Sequence, residues 1–428
     1  MAAPSSHAHP ARTGKTILLS VIMPTSFPQL HPPSTPIFSY HRSTAWPLHP
    51  SAAQKLNSFA GIGLGNGSLD SLLLKVSANE SAAARWSLAR ALVIDEISMI
   101  DGQLFDRLDQ IARAMRPQDA DLPWGGVQLI VSGDFFQLPP VNAPNPSKEF
   151  AFEAECWTNS FHLQVELTRI FRQSDSALID VLQGIRRGQK GNCLCHILEH
   201  HCSKPLSSYN DDADDDDRTT RLFPRNEDVK KLNNERLKNL DAVIFHYTAV
   251  DRGKEPWKAQ LKQGIAPEEL EICTGARVML IKNTDVGMGL VNGATGTVEG
   301  FVFDDSLKVG KICRNGGFLP RVKFDSGVEL VVKPERWDLM EGEKIRATRK
   351  QIPLILAWAL SVHKCQGMTL DRLHTDLSRA FGCGMVYVAL SRVRSLAGLR
   401  LSGFNPYKIR AHPKVVRFYD WLLLSHRP

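Results

Sequence analysis

The sequence predicts an α/β protein whose sheets are parallel, with a small β-barrel inserted late in the chain. Two carboxylate-ended apolar runs and one change of pattern carry that prediction. Ala91-Leu-Val-Ile-Asp95-Glu96 and Val127-Gln-Leu-Ile-Val-Ser-Gly-Asp134 are short branched apolar runs that stop abruptly at carboxylates. Runs of that kind read as strands buried on both faces, as in a parallel sheet. From Ala276 the pattern turns to short strands and glycine turns, at 277–281, 293–299, 321–327 and 329–332, the spacing of a small barrel.

Taken in order, residues 1–56 are dominated by Pro, Ser, Thr and His and keep no helical or strand period, so the segment reads as mostly disordered. A first domain is expected over 57–205. It holds the strand at 91–94, an amphipathic helix from about 103 to 115, a turn at Trp124-Gly-Gly126 and the strand at 127. A strand-turn at 163–172 and a helix at 175–187 follow. Asp211-Asp-Ala-Asp-Asp-Asp-Asp217 repels itself and reads as a solvated linker over 206–220. The second domain is expected at 221–272 and 346–428, interrupted by the barrel at 273–345.

No run of eighteen apolar residues occurs in the 428, so no membrane partner is expected. The eight cysteines keep no zinc spacing, which fits a reducing compartment. Net charge is +7, but residues 344–428 hold fifteen Lys/Arg against three Asp/Glu, a local +12 that leaves the remainder at −5. Such a basic block suits a polyanion such as nucleic acid, or else serves as a solubilising surface.

Ligands of open α/β sheets collect at the carboxyl ends of the strands. Two strands delivering Asp95, Glu96, Asp134 and Gln137 to that edge therefore suggest a nucleotide-phosphate and Mg²⁺ site. Asp95 would hold Mg²⁺, usually through water. Glu96 would deprotonate the attacking water, and Gln137 would sense the γ-phosphate. An isolated Asp-Glu more often caps the next helix; the second strand shifts the balance toward chemistry.

Further blocks share one order. Asp95-Glu-Ile-Ser-Met99 is followed by Asp106-Arg-Leu-Asp109 with Arg113 and Arg116, then by Gly133-Asp-Phe-Phe-Gln-Leu-Pro-Pro140. Leu167-Thr-Arg-Ile-Phe-Arg172-Gln, Ser361-Val-His-Lys-Cys-Gln-Gly-Met-Thr369 and Tyr387-Val-Ala-Leu-Ser-Arg392 come after them. Together they resemble superfamily-one DNA helicases of the Pif-one type, over about 57–420. The resemblance implies two RecA-like P-loop NTPase domains, the second carrying an SH3-like barrel, with ATP and Mg²⁺ between them. It also implies 5′-to-3′ movement on single-stranded DNA, action on forked DNA, and roles in repair, recombination and telomere maintenance in the nucleus or the mitochondrion.

The same resemblance assigns Arg172 and Arg392 to the γ-phosphate, Gln366 to the nucleotide, and Ser361, His363 and Lys364 to DNA. Guanidinium groups suit phosphate oxygens because their charge is permanent and their donors form a fork. Single strands also need aromatic faces on which bases stack; Phe59, Phe135, Phe136 and Trp358 are candidates for that, or for the core.

The phosphate loop departs from its pattern. His9-Pro-Ala-Arg-Thr13-Gly14-Lys15-Thr16 keeps the closing Gly14, Lys15 and Thr16, which would hold phosphate and Mg²⁺. His9 stands at the first glycine position, Arg12 replaces a second glycine, and Pro10 removes an N–H donor. The first strand, part of the loop and one DNA motif are read as missing or replaced. Three functions stay open: a helicase, an ATPase-deficient remnant that binds single-stranded DNA, and an NTPase acting on protein or metabolite partners.

Overall fold

Four short parallel strands form the first sheet, in the order β2-β1-β3-β4: β1 (Ile37–Ser39), β2 (Ala53–Gln54), β3 (Ala91–Asp95) and β4 (Gln128–Val131). The structure, a computed structural model, describes residues 37–39, 53–54, 56–203 and 219–425, apart from 64, 66, 141–144, 256, 262–265, 286, 305–315, 342–343 and 371. The loop at Gly14, Lys15 and Thr16 and the acidic run 211–217 lie outside these residues. β3 is buried along its whole length, as its unbroken apolar run requires. β1 and β2 fall inside the segment expected to be disordered; Ile37 and Phe38 pair with Val93 and Ile94. Strands of two or three residues are too short to leave a period in the sequence.

Helices α1 (Leu56–Ala60), α2 (Leu69–Ser77), α3 (Glu80–Leu88) and α4 (Gly102–Ala114) help build this core. α4 starts where the Asp101 carboxylate accepts the Leu104 N–H at 2.8 Å, an N-cap that satisfies one orphan donor. Phe105, Leu108, Ile111 and Ala112 then recur on one buried face. The polar residues of α4 brace the loops around it. Asp106 takes Lys148 Nζ at 2.7 Å and the Cys156 N–H at 3.0 Å, while Asp109 takes the Trp124 N–H at 2.7 Å. Arg116 reaches the carbonyls of Ser87 and Gly125, both at 2.6 Å. Residues 163–172, expected as strand and turn, form no strand.

Two helices follow, α5 (Ser176–Arg186) and α6 (Asn192–Ser203), then β5 (Thr220–Phe223) and α7 (Asn226–Asn239). The chain next builds a β-rich unit: β6 (Phe245–Thr248), β7 (Val250–Gly253), β8 (Glu269–Ile272), β9 (Arg277–Leu280), β10 (Thr295–Phe303), β11 (Phe318–Phe324), β12 (Glu329–Val331), β13 (Glu335–Glu341), β14 (Lys344–Gln351) and β15 (Leu354–Leu356). These pair as β12-β11-β10-β9-β15, β13-β14-β7 and β6-β8. The unit thus runs from Phe245 to Leu356, wider than 273–345, because flanking strands β7 and β15 pair into it. The chain returns through β16 (Ala359–Ser361), β17 (Leu373–Asp376), α8 (Met385–Leu390), β18 (Leu399–Gly403) and α9 (Pro413–Ser425). β16-β5-β17-β18 is a second parallel sheet. Among the described residues no helix is long and apolar enough to cross a membrane.

Two chain crossings tie the halves together. α5 buries Leu178, Val181, Leu182 and Ile185 in the second core, with Leu360, Leu373 and Leu399. α9 returns to the first core, where Val415, Tyr419 and Leu422 pack with Phe135 and Trp157. A helical period reports that one face is buried, not which sheet receives it. The aromatic centre of the first core makes a test: Phe105 is fully buried, with ring centroids 5.0 Å from Trp124 and 5.4 Å from Trp157. Phe105→Ala is expected to cost about 3–5 kcal/mol in urea unfolding.

Candidate nucleotide site at the domain junction

The site begins where β3 and β4 end side by side. Asp95 closes β3 and is 4% exposed, and its Oδ1 accepts the Glu96 N–H at 2.9 Å. Glu96 turns the chain at once through φ 55, a left-handed conformation that non-glycine residues seldom adopt and that recurs at functional sites. Gly133 permits the close approach of the two strand ends: a Cβ there would sit 2.6 Å from the Ile97 side chain and 2.9 Å from its backbone nitrogen. Asp95, Glu96 and Asp134 thereby share one buried edge.

Asp134 does not face an open metal site; four groups from four segments converge on it. Arg186 of α5 donates to its Oδ1 at 3.1 Å and its Oδ2 at 3.4 Å. The Tyr387 hydroxyl of α8 lies 3.3 Å from Oδ2, the Tyr419 hydroxyl of α9 lies 3.4 Å from Oδ1, and the Phe136 N–H donates to Oδ1 at 3.2 Å. Burial and the Asp134 carboxylate together raise the pKa of both tyrosines, keeping them protonated as donors. Burial is the largest single influence on Arg186 and opposes its charge, but Asp134, Tyr419 and Tyr387 together outweigh it and the net shift is upward. The Arg186 guanidinium also lies over the Phe136 ring at 4.5 Å, within cation–π range.

This clamp holds the loop that carries Gln137. Gln366 Nε2 donates to Gln137 Oε1 at 3.4 Å from the second half of the chain. Beside it, Gly384 at φ 72 lets the start of α8 press on the loop: a Cβ would collide with the carbonyl oxygens of Phe136 and Gln137. Arg172 and Arg392 converge on Ser391. Arg172 donates to the Ser391 carbonyl at 3.3 Å, and Arg392 donates to the Ser391 hydroxyl at 2.6 Å. Burial and then the like charge of Arg392 pull the Arg172 pKa down to about 9, and Glu96 acts in the opposite direction. Arg172 is thus charged at neutral pH and within electrostatic reach of both Arg392 and Glu96.

Two like-charged guanidinium groups gathered at Ser391 repel each other, and an anion beside them relieves the repulsion. The arrangement therefore suits a phosphate. Among the described residues no group of three or more His, Cys, Asp or Glu side chains could hold a metal by itself. One carboxylate at Asp95 is nonetheless the donor set Mg²⁺ takes when phosphates supply other ligands.

The structure brings Asp95, Glu96, Gln137, Arg172, Gln366 and Arg392 to one junction. Ser361 is 3% exposed at the end of β16, while His363 and Lys364 are exposed on the loop beyond it. The stacking candidates are corrected: Phe59, Phe135, Phe136 and Trp358 are at most 6% exposed and belong to cores. Phe59 lies against Trp86 at 4.9 Å, and Phe136 stacks on Tyr419 at 4.6 Å. Arg186 and Tyr419 escaped the sequence reading because no short spacing links either to Asp134. Tyr387 stood inside a recognised block without a role of its own.

Known proteins resemble this chain along most of its length. The model of the PIF1-like helicase family matches residues 11–188, and that of the DNA helicase Pif1 2B domain matches 259–301. The chain is 40% identical to the ATP-dependent DNA helicase PIF1 of Xenopus laevis over 365 residues, 85% of this chain and 54% of that protein. It aligns with the crystal structure of Pif1 helicase from Candida albicans at a TM-score of 0.81 and 35% identity, covering 96% of this chain and 93% of that one. Bacteroides sp Pif1 in complex with ADP-AlF4 aligns at 0.71 and 27%, covering 96% and 91%. The chain spans about half the length of the curated relatives it matches.

Gly384→Ala is expected to force α8 away from the Gln137 loop and cost roughly 1–3 kcal/mol in thermal unfolding. Gly191→Ala, where a Cβ meets nothing within 4 Å, is the unchanged control.

Proposed function

Because this chain belongs to the PIF1-like helicase family, we propose that it is an ATP-dependent DNA helicase moving 5′-to-3′ on single-stranded DNA. The observation that carries the reading is the convergence of Glu96, Arg172, Arg392 and Gln137 across the junction of two parallel sheets. Glu96 would take the proton of an attacking water. Gln137, tied to Gln366, carries the state of one half to the other. Arg172 and Arg392 meet the γ-phosphate only while the halves are closed, so charge neutralisation and closure become one event. An arginine finger of this kind contributes roughly 10³–10⁵ in rate.

Lys15 and Thr16 would grip the phosphates, and Asp95 with Thr16 would hold Mg²⁺, which when bound neutralises phosphate charge. Ser361, His363 and Lys364 face the DNA backbone in this reading, aided by the basic surplus of 344–428. Forked DNA is the expected duplex substrate, with roles in repair, recombination and telomere maintenance in the nucleus or the mitochondrion. His9, Pro10 and Arg12 in the phosphate loop favour one second reading, a remnant that binds single-stranded DNA without turnover.

An ATPase assay with and without single-stranded DNA separates these. DNA-stimulated turnover supports the helicase; salt-sensitive DNA binding without turnover supports the remnant; turnover indifferent to DNA removes both. Glu96→Gln is expected to abolish hydrolysis while nucleotide binding persists, and undiminished turnover in that variant takes Glu96 out of its role.

A further inference from the structure

A single strand needs an open aromatic face on which a base can stack, and the four side chains first considered for that lie in cores. The most exposed Phe, Tyr or Trp among the described residues is Tyr407, at 73%. It stands on a tight turn, Pro406–Lys408, just after β18. The Asn405 side chain accepts the Tyr407 N–H at 2.9 Å, and Arg410 Nε donates to the Tyr407 carbonyl at 3.1 Å. Ile409 anchors the turn in the second core. Beyond it, the Arg410 carbonyl accepts the Gly384 N–H at 2.9 Å. Ala411 abuts the bend at Gly188, where a Cβ would sit 2.9 Å from the Ala411 nitrogen. The turn is thus held on both sides while its ring is left to solvent.

The charge around this ring is one-sided. Residues 377–419 hold eight Lys/Arg and no Asp or Glu. Some of these cations are committed elsewhere, Arg379 to Asp228 and Lys414 to Glu153. Lys408 and Arg410 make no ion pair among the described residues, and neither does Lys190 from the connection between α5 and α6. The carboxylates that approach this region have other partners: Glu149 meets His412 and Lys414, and Asp420 meets Arg187. Lys190 Nζ lies 5.3 Å from the centre of the Tyr407 ring, within cation–π range. Protein surfaces usually intersperse both signs of charge. Unpaired cations gathered beside an open ring instead have the two parts of a single-strand contact, charge for the backbone and a face for a base.

We propose that Tyr407, Lys190, Lys408 and Arg410 form a further contact for single-stranded DNA, in which the ring stacks on one unpaired base and the three cations meet phosphates of the same strand. Nothing in this contact uses Ser361, His363 or Lys364. Its tolerance of sequence follows from its parts, since every base has a face to stack and every nucleotide a phosphate. The turn that carries it also meets Gly384, at the start of α8. A strand held here is therefore held by a segment that touches the Gln137 loop through a single residue. The choice of DNA as the strand rests on the helicase reading; the open ring and the unpaired cations do not.

Two measurements on the full chain test it, and both read DNA binding rather than turnover. Tyr407→Ala is expected to weaken binding of a fluorescein-labelled oligothymidylate by roughly five- to hundredfold, the loss of one base stack, at an unchanged unfolding temperature. Tyr407→Trp keeps an open ring and is expected to bind as the parent does. Equal affinity in Tyr407→Ala overturns the proposal. Lys190→Gln combined with Lys408→Gln is expected to reduce the slope of log affinity against log salt by about 1.4, the share of two phosphate contacts on a single strand; an unchanged slope overturns it as well. Salt-sensitive binding that survives all these substitutions leaves the DNA reading standing and sinks this contact alone, whereas a parent chain that binds no oligothymidylate sinks both. If the variants lose binding to phosphatidylserine vesicles and keep the oligothymidylate, the surface belongs to a membrane and the proposal falls.

Discussion

The junction of the two halves depends on one buried carboxylate. Asp134 follows the end of β4, is largely buried, and is met by Arg186, Tyr387 and Tyr419, each from a different helix. A buried ion pair contributes little net stability once desolvation is counted, but removal of one partner is costly because the other charge is left alone. What such a pair does well is specify geometry. Here the specified object is the backbone of Phe135, Phe136 and Gln137, whose first N–H meets the Tyr419 hydroxyl at 3.3 Å.

The remaining contacts of the site follow from that fixed loop. Gln366 reaches Gln137 because the loop presents it, and α8 can begin at Gly384 because no Cβ stands between helix and loop. α8 in turn ends at Ser391 and Arg392, where Arg172 arrives from the other half. Carboxylate, glutamine, glycine contact and arginine pair therefore form one connected chain of contacts.

The sheet edge was readable in the sequence, because the short apolar runs stop at Asp95-Glu96 and Gly133-Asp134; the expected burial on both faces holds for β3 but not for β4, whose Leu129, Ile130 and Val131 stay partly exposed. Helix α4 was equally plain from its apolar period, and α5 falls within the helix expected at 175–187. Three things were not readable. β1 and β2 are too short to carry a period. Aromatic side chains look alike in the sequence whether they stack on a base or fill a core, and Phe59, Phe135, Phe136 and Trp358 all fill cores. The partners of α5 and α9 lie far away in sequence, so their assignment to the opposite sheet depends on tertiary contacts that no local pattern encodes.

The placement of α9 has a consequence for synthesis. Domains of a nascent chain generally fold as they emerge, the N-terminal one first. Here the first core includes Val415, Tyr419 and Leu422 of α9, residues made long after the strands they cover. The half of the molecule that bears Asp95 and Glu96 is therefore begun before the second sheet and completed only after it. Until α9 arrives, Asp134 and Arg186 lack one of their tyrosines, and the junction stays incomplete.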